Sequence, residues 1–141
     1  MRILGIDLGR RRVGLAISDP TRTLARPLAT LTIDGDSAVE RVAREIERLA
    51  ADADGLDAVV VGMPARLDGS PSPRTVEVAR FITRLRERIA LPVHQEDERL
   101  TSKEAESRLA LRQRDWRKRK AQLDAAAAAI ILQDYLDRHR E

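Results

Sequence analysis

The chain has no cysteine, two histidines and one each of Trp, Tyr and Phe in 141 residues. Without cysteine it can form no disulfide framework, no thiolate metal site and no thiol nucleophile. His94 and His139 are too far apart in sequence to read as a local zinc pair. With an aromatic fraction of 2%, the core has to be filled by Val, Ile, Leu and Ala. Long apolar runs are also missing. The longest, AAAAAIIL at 125–132, falls far short of the ~20 residues a membrane span needs. Asp7 interrupts the apolar start MRILGIDLG before it reaches signal-peptide length. These absences predict a soluble, cytoplasmic protein with no membrane partner.

What is present is enough for a core. A 43% hydrophobic content over 141 residues predicts one domain spanning 1–141. Residues 2–9 and 13–18 alternate around a GRRR turn, with Leu4, Ile6 and Leu8 on one face and Val13, Leu15 and Ile17 likewise. Residues 24–33 read as a third strand, edge-placed or bulged at Pro27. SAVERVAREIERLA opens with a capping box, Ser37 to Glu40, and reads as a helix. Then come a buried strand at 57–64, a Gly/Pro/Ser-rich loop (PARLDGSPSP), a helix with the stripe Val78, Ile82, Leu85 and Ile89, and a short strand at 91–95. Thr101 and Glu104 form a second capping box, for a helix to about Leu111. A final helix is expected from about Gln122 to Arg138. Three meandering strands followed by alternating helices and strands predict a mixed α/β sheet with helices on both faces.

The formal net charge is only +3, and its excess lies late in the chain. RLALRQRDWRKRK (108–120) holds seven Lys/Arg against one Asp, together with the single Trp. Such a segment suits phosphate binding; an arginine-rich solvated linker would read the same.

Three acids stand out by position. Asp7 faces away from Leu4, Ile6 and Leu8, on the side that carries Gly5 and Gly9, and that leaves room for a ligand near the backbone. An acid capping a turn would look identical. Glu96, Asp97 and Glu98 follow the strand 91–95, where open α/β sheets place ligands; spacing alone does not say which points inward. Asp124 is expected in the first turn of the last helix. There it would suit the helix dipole, but it also heads the stripe Ala127, Ala128, Ile131 and Tyr135 and so points toward the sheet. Carboxylates from distant segments, without His or Cys, select hard cations such as Mg²⁺ or Mn²⁺. With a basic patch nearby, a phosphodiester is the economical substrate.

The stretches GIDLGRRRVGLAISD (5–19), VVVGMPARLDG (59–69), DERLTS (97–102) and LDAAAAAIILQDYL (123–136) together resemble the YqgF/RuvX family. These are ribonuclease H-like proteins assigned as Holliday-junction resolvases and to maturation of pre-ribosomal RNA 5′ ends. The resemblance implies a ribonuclease H-like, five-stranded mixed sheet, a three-strand antiparallel meander plus two parallel strands, flanked by helices. It implies a divalent-metal acidic triad on Asp7, Glu98 and Asp124, with Asp97 as the alternative ligand. It further implies structured RNA or branched DNA as substrate, pre-ribosomal particles as a setting, and leaves a homodimer open. The basic side chains expected to touch nucleic acid are Arg11, Arg12, Arg99, Arg112, Arg114, Arg117, Lys118, Arg119 and Lys120, with Trp116 stacking on an unpaired base or anchoring the segment. The family's segment before the last helix contains glycine; RQRDWRKRKAQ has none.

Other candidates have simpler readings. His94 is either a general base or a packing residue. Ser18 and Thr101 either bind phosphate or serve turns and caps, and MPARLDGSPSP is either a lid or a surface loop. Two other functions fit parts of the pattern. An Asp-Xaa-Gly hairpin also opens the actin-like sugar kinases, but those need two lobes. A catalytically silent nucleic-acid-binding or ribosome-assembly protein would keep the same fold and acids.

Overall fold

A computed structural model describes residues 1–33, 38–64, 70–97 and 116–139. Two antiparallel pairings join β1 (Arg2–Leu8) to β2 (Arg12–Ser18) and β2 to β3 (Ala25–Thr32). Two parallel pairings add β4 (Leu56–Met63) and β5 (Val93–Asp97) on the other side of β1. The sheet order is β3-β2-β1-β4-β5. Pro27, which has no N–H to donate, sits on the edge strand β3, where the β2–β3 register shifts beside its partner Ala16.

Alternation assigns the two faces. Leu4, Ile6, Val13, Leu15, Val59 and Val61 are buried in one core cluster with Val42 and Ile46 of α1 (Ala38–Ala50) and with Val78 and Ile82 of α2 (Pro73–Arg88). Each such aliphatic side chain contributes about 1.5–3 kcal/mol through burial. The opposite face carries Ile3, Ala16, Ala58 and Val60, covered by Ala128, Ile131, Leu132 and Leu136 of α3 (Trp116–Arg138). This second layer is thinner because its residues are small. A Cβ added to Gly5 would lie 2.8 Å from Leu132 Cβ and 3.1 Å from the Ala128 carbonyl oxygen. Ala128, and Ala125 at Gly14, therefore serve close helix–sheet approach.

Polar contacts fix α3 in register. Gln133 accepts from the Ala25 N–H at 2.8 Å and donates to the Thr23 carbonyl at 3.0 Å, tying the helix to the start of the edge strand. Ser18 is buried; its hydroxyl accepts the Ile3 N–H at 2.8 Å and donates to the Asp19 carbonyl, so it serves the strands. Asp19 accepts from the Thr23 and Leu24 N–H groups and holds the β2–β3 turn.

Two elements differ from the expected boundaries. β5 occupies 93–97 instead of 91–95, so Gln95, Glu96 and Asp97 lie in the strand and not beyond it. Pro92 offers no N–H, and regular pairing begins after it. The last helix begins at Trp116, not near Gln122, because WRKRKAQ is composed mostly of good helix formers. The basic run 117–120 is thus helical backbone, not a linker, and Asp124 sits in the third turn of α3, not the first. The dipole acts within the first turn; it does not account for Asp124. Ser37 of the first capping box, residues 65–69 of the loop, and the whole 101–111 helix lie outside the described residues.

Candidate active site

Asp7 has the parity of Ile3 and Gly5, so β1 presents it on the α3 face, half-buried near the strand's carboxyl end. Its antiparallel partner is Gly14 of β2, and such partners have Cα atoms about 4.5–5.5 Å apart. Gly14 is where α3 lands. A Cβ there would lie 2.0 Å from the Asp124 carbonyl oxygen and 2.4 Å from its carbonyl carbon. The helix backbone at Asp124 therefore rests on the residue directly opposite Asp7. The column Asp124, Ala128, Leu132, one helical turn per step, runs from Gly14 to Gly5. Two acids 117 positions apart come to one glycine, Asp7 as its strand partner and Asp124 through its backbone, because that glycine has no side chain.

The Arg12 guanidinium lies beside this pair, with its Nε 3.0 Å from Asp124 Oδ2 and both side chains about a third exposed. One expected nucleic-acid contact is thus also an ionic partner of an expected acid. Arg11, next to it, is exposed in the β1–β2 turn, where the Gly9 N–H donates to the Arg12 carbonyl at 2.8 Å.

On β5 the expected residues divide. His94 and Glu96 face α3: His94 stacks on Tyr135, with ring centroids 5.6 Å apart, and Glu96 pairs with Arg138 at 2.7 Å. Tyr135 stacks in turn on His139 at 4.1 Å, so His94 serves a ring stack. Asp97 has the opposite parity, pairing with Met63, whose side chain packs against the α1/α2 core. Glu96, one of three acids that sequence spacing left undecided, is 4% exposed. Burial raises its carboxyl above the ordinary range, and the Arg138 charge acts against that rise. Placing the strand at 93–97 would have revealed this parity.

Glu98, Arg99, Arg112 and Arg114 lie outside the described residues, and Trp116, Arg117, Lys118, Arg119 and Lys120 form the opening turns of α3. Among the described residues no three His, Cys, Asp or Glu side chains cluster so as to hold a metal; Asp7 and Asp124 are the two carboxylate-bearing residues that adjoin Gly14. Their all-oxygen chemistry fits Mg²⁺ or Mn²⁺, and Arg12 already balances the negative charge there.

The sheet order, with a three-strand meander, two parallel strands and helices on both faces, defines a ribonuclease H-like α/β fold. Residues 1–138 match the family model described as RuvX, Holliday junction resolvase, and the chain belongs to that family. It is 42% identical to a protein of Anaeromyxobacter dehalogenans over 98% of both chains. It is 41% identical to one of Geobacillus kaustophilus over 99% of this chain and 100% of that one. Both are provisionally named pre-16S rRNA nuclease. Among solved structures, the Fowlpox virus resolvase in complex with Holliday junction DNA superposes with a TM-score of 0.63 over the whole of both chains, at 18% identity. Thermus thermophilus RuvC in complex with a Holliday junction superposes at 0.55, covering 98% of this chain and 94% of that one, at 16% identity. These two likenesses are of fold.

Proposed function

We propose that the protein is a divalent-metal-dependent nuclease that hydrolyses phosphodiester bonds of structured nucleic acid, with precursor 16S rRNA as its substrate. The observation that carries this reading is the meeting of Asp7 and Asp124 across Gly14. The names of relatives about 40% identical over nearly their full lengths support the RNA.

Asp7, Asp124 and Glu98 would hold Mg²⁺ or Mn²⁺, which supplies an activated water and a counter-charge for the phosphorane-like transition state. Glu98, which the family resemblance assigns to the site, lies outside the described residues. Arg12 holds the Asp124 carboxylate against the sheet and is placed to donate to phosphate oxygens. Lys120 lies one helical turn ahead of Asp124, and Arg117 about two, so phosphates gathered by the basic start of α3 arrive next to the acids.

The test is purified protein with Mn²⁺ or Mg²⁺ on three labelled substrates: a precursor 16S rRNA 5′ fragment, a four-way DNA junction and single-stranded DNA. Cleavage of the RNA, abolished by EDTA, is expected. Junction cleavage without RNA cleavage would move the substrate to DNA. Binding without cleavage of any substrate would leave a nucleic-acid-binding protein on the same fold.

A further inference from the structure

On the opposite face of the sheet from Asp7, the end of β1, the first turn of α1 and the outer side of α2 enclose a cleft of about 320 Å³. Phe81 forms part of its apolar floor, and four arginines, Arg10, Arg74, Arg80 and Arg84, line it against one acid, Glu77. Arg74 is committed: it pairs with Glu77 and donates to the Leu8 carbonyl, pinning α2 to the end of β1. Arg10, Arg80 and Arg84 are exposed and form no ion pair among the described residues.

The same helix shows what compensation looks like. Arg80, Arg84 and Arg88 are spaced i, i+4, i+8 on α2, a ladder of like charges that destabilises a helix. Arg88 is balanced twice, by Glu40 at 3.1 Å and Glu47 at 2.9 Å. Arg80 and Arg84, the two that reach the cleft, form no ion pair among the described residues; the one acid there, Glu77, already pairs with Arg74 and shares its charge with Arg10 and Arg80. Three guanidinium groups, a wall of apolar carbon and a location at the carboxyl end of β1 define a place for an anion.

We propose that this cleft is a second phosphate-binding site, which grips the nucleic-acid backbone on the other side of the β1–β2 turn from Asp7. Arg10 follows Asp7 by three residues, at most about 11 Å of chain. At a rise of about 3.4 Å per nucleotide, a strand passing Asp7 reaches Arg10 within about three nucleotides. The turn is then a ridge that the substrate crosses, with acids on one side and arginines on the other. This inference rests on the nuclease reading for its ligand.

The test compares the wild type with Arg80→Gln/Arg84→Gln and with Arg26→Gln/Arg41→Gln, which removes the same charge at exposed positions outside the cleft. Binding to labelled precursor rRNA fragment is followed by fluorescence anisotropy between 50 and 300 mM salt, and cleavage is measured at saturating substrate with Mn²⁺. Loss of two phosphate contacts should flatten the log–log salt slope by about 1.4–1.8 in the cleft variant and leave it unchanged in the control. Cleavage at saturation should persist in both. If the cleft variant keeps the wild-type slope while the wild type cleaves, the second site is refuted and the nuclease stands. If the slope falls but the wild type does not cleave, the cleft stands and the nuclease reading fails. Equal flattening in both double variants would refute a localised site. A far-UV spectrum and thermal midpoint matching the wild type exclude misfolding as the cause.

Discussion

Replacing Gly14 by alanine adds one methyl group to the chain and leaves every acid in place. That methyl carbon would stand 2.0 Å from the Asp124 carbonyl oxygen, 2.4 Å from its carbon and 3.0 Å from the Ala125 nitrogen. All three are helix backbone, so no rotamer change relieves the overlap. An ordinary contact needs about 3.5 Å, so α3 must lift from β2 by roughly 1–1.5 Å. Overpacking of this kind costs about 1–3 kcal/mol. The upper end applies here, since Ala128 and Leu132, one and two turns on, leave no room for a Cβ at Gly5 either. A chain of this size loses about 3 °C of thermal midpoint per kcal/mol, so Gly14→Ala should melt roughly 5–10 °C lower by scanning calorimetry. A 1 Å misplacement of reacting groups costs on the order of 100-fold in rate, and cleavage should fall at least that far at a temperature where the variant is folded. Magnesium titration should not restore it. A variant with wild-type midpoint and wild-type cleavage would show that α3 does not rest on Gly14, and the meeting of Asp7 with Asp124 would lose its basis.

Three further outcomes follow from other contacts. Ser18→Ala should lower stability by about 1–3 kcal/mol in a urea titration, because the buried Ile3 N–H loses its acceptor; an unchanged midpoint would mean another group satisfies it. Asp19 is held down to about 2 by hydrogen bonds from Thr21, Leu24 and Thr23. A depressed acid stabilises above its unfolded value near 3.8 and loses that contribution as pH falls toward 2. Midpoints measured from pH 5 to pH 2 should therefore fall less steeply in Asp19→Asn than in the wild type, and parallel curves would remove Asp19 from the acid response. Arg117, Lys118 and Arg119 changed together to alanine should weaken binding of any nucleic acid and flatten the salt slope by about two to three units. An unchanged slope would make the opening turns of α3 a solvated helix end.

Much of this architecture is written in the chain at short range. The meander was legible because Leu4, Ile6 and Leu8 alternate against Gly5, Asp7 and Gly9, and a period of two admits few other readings. The site was legible only in halves. Composition along β1 indicates that Asp7 faces small residues, and the stripe below Asp124 indicates a buried helix face. Their meeting through Gly14 depends on the β1–β2 register and on where α3 lands, which are long-range facts. The boundaries failed where local propensity was ambiguous. The residues after the proline in LPVHQED continue a strand that an acidic run disguised as a loop. Trp116–Lys120 looked like a linker because charge was weighed above helix propensity. The arginine cleft left only a faint trace, three arginines at helical spacing on α2 among two acids, Glu77 and Glu87.

The most direct measurement is cleavage of a labelled precursor 16S rRNA 5′ fragment by the wild type and by Asp7→Asn, with Mn²⁺ or Mg²⁺ present, binding followed in the same samples and ends mapped. Removing one charge from a pair of neighbouring acids should leave the thermal midpoint equal or higher. The wild type should cut and leave a 5′-phosphate and a 3′-hydroxyl. Asp7→Asn should bind at near wild-type affinity and not cut. Wild-type cleavage by Asp7→Asn, or cleavage by the wild type that survives EDTA, would contradict the account.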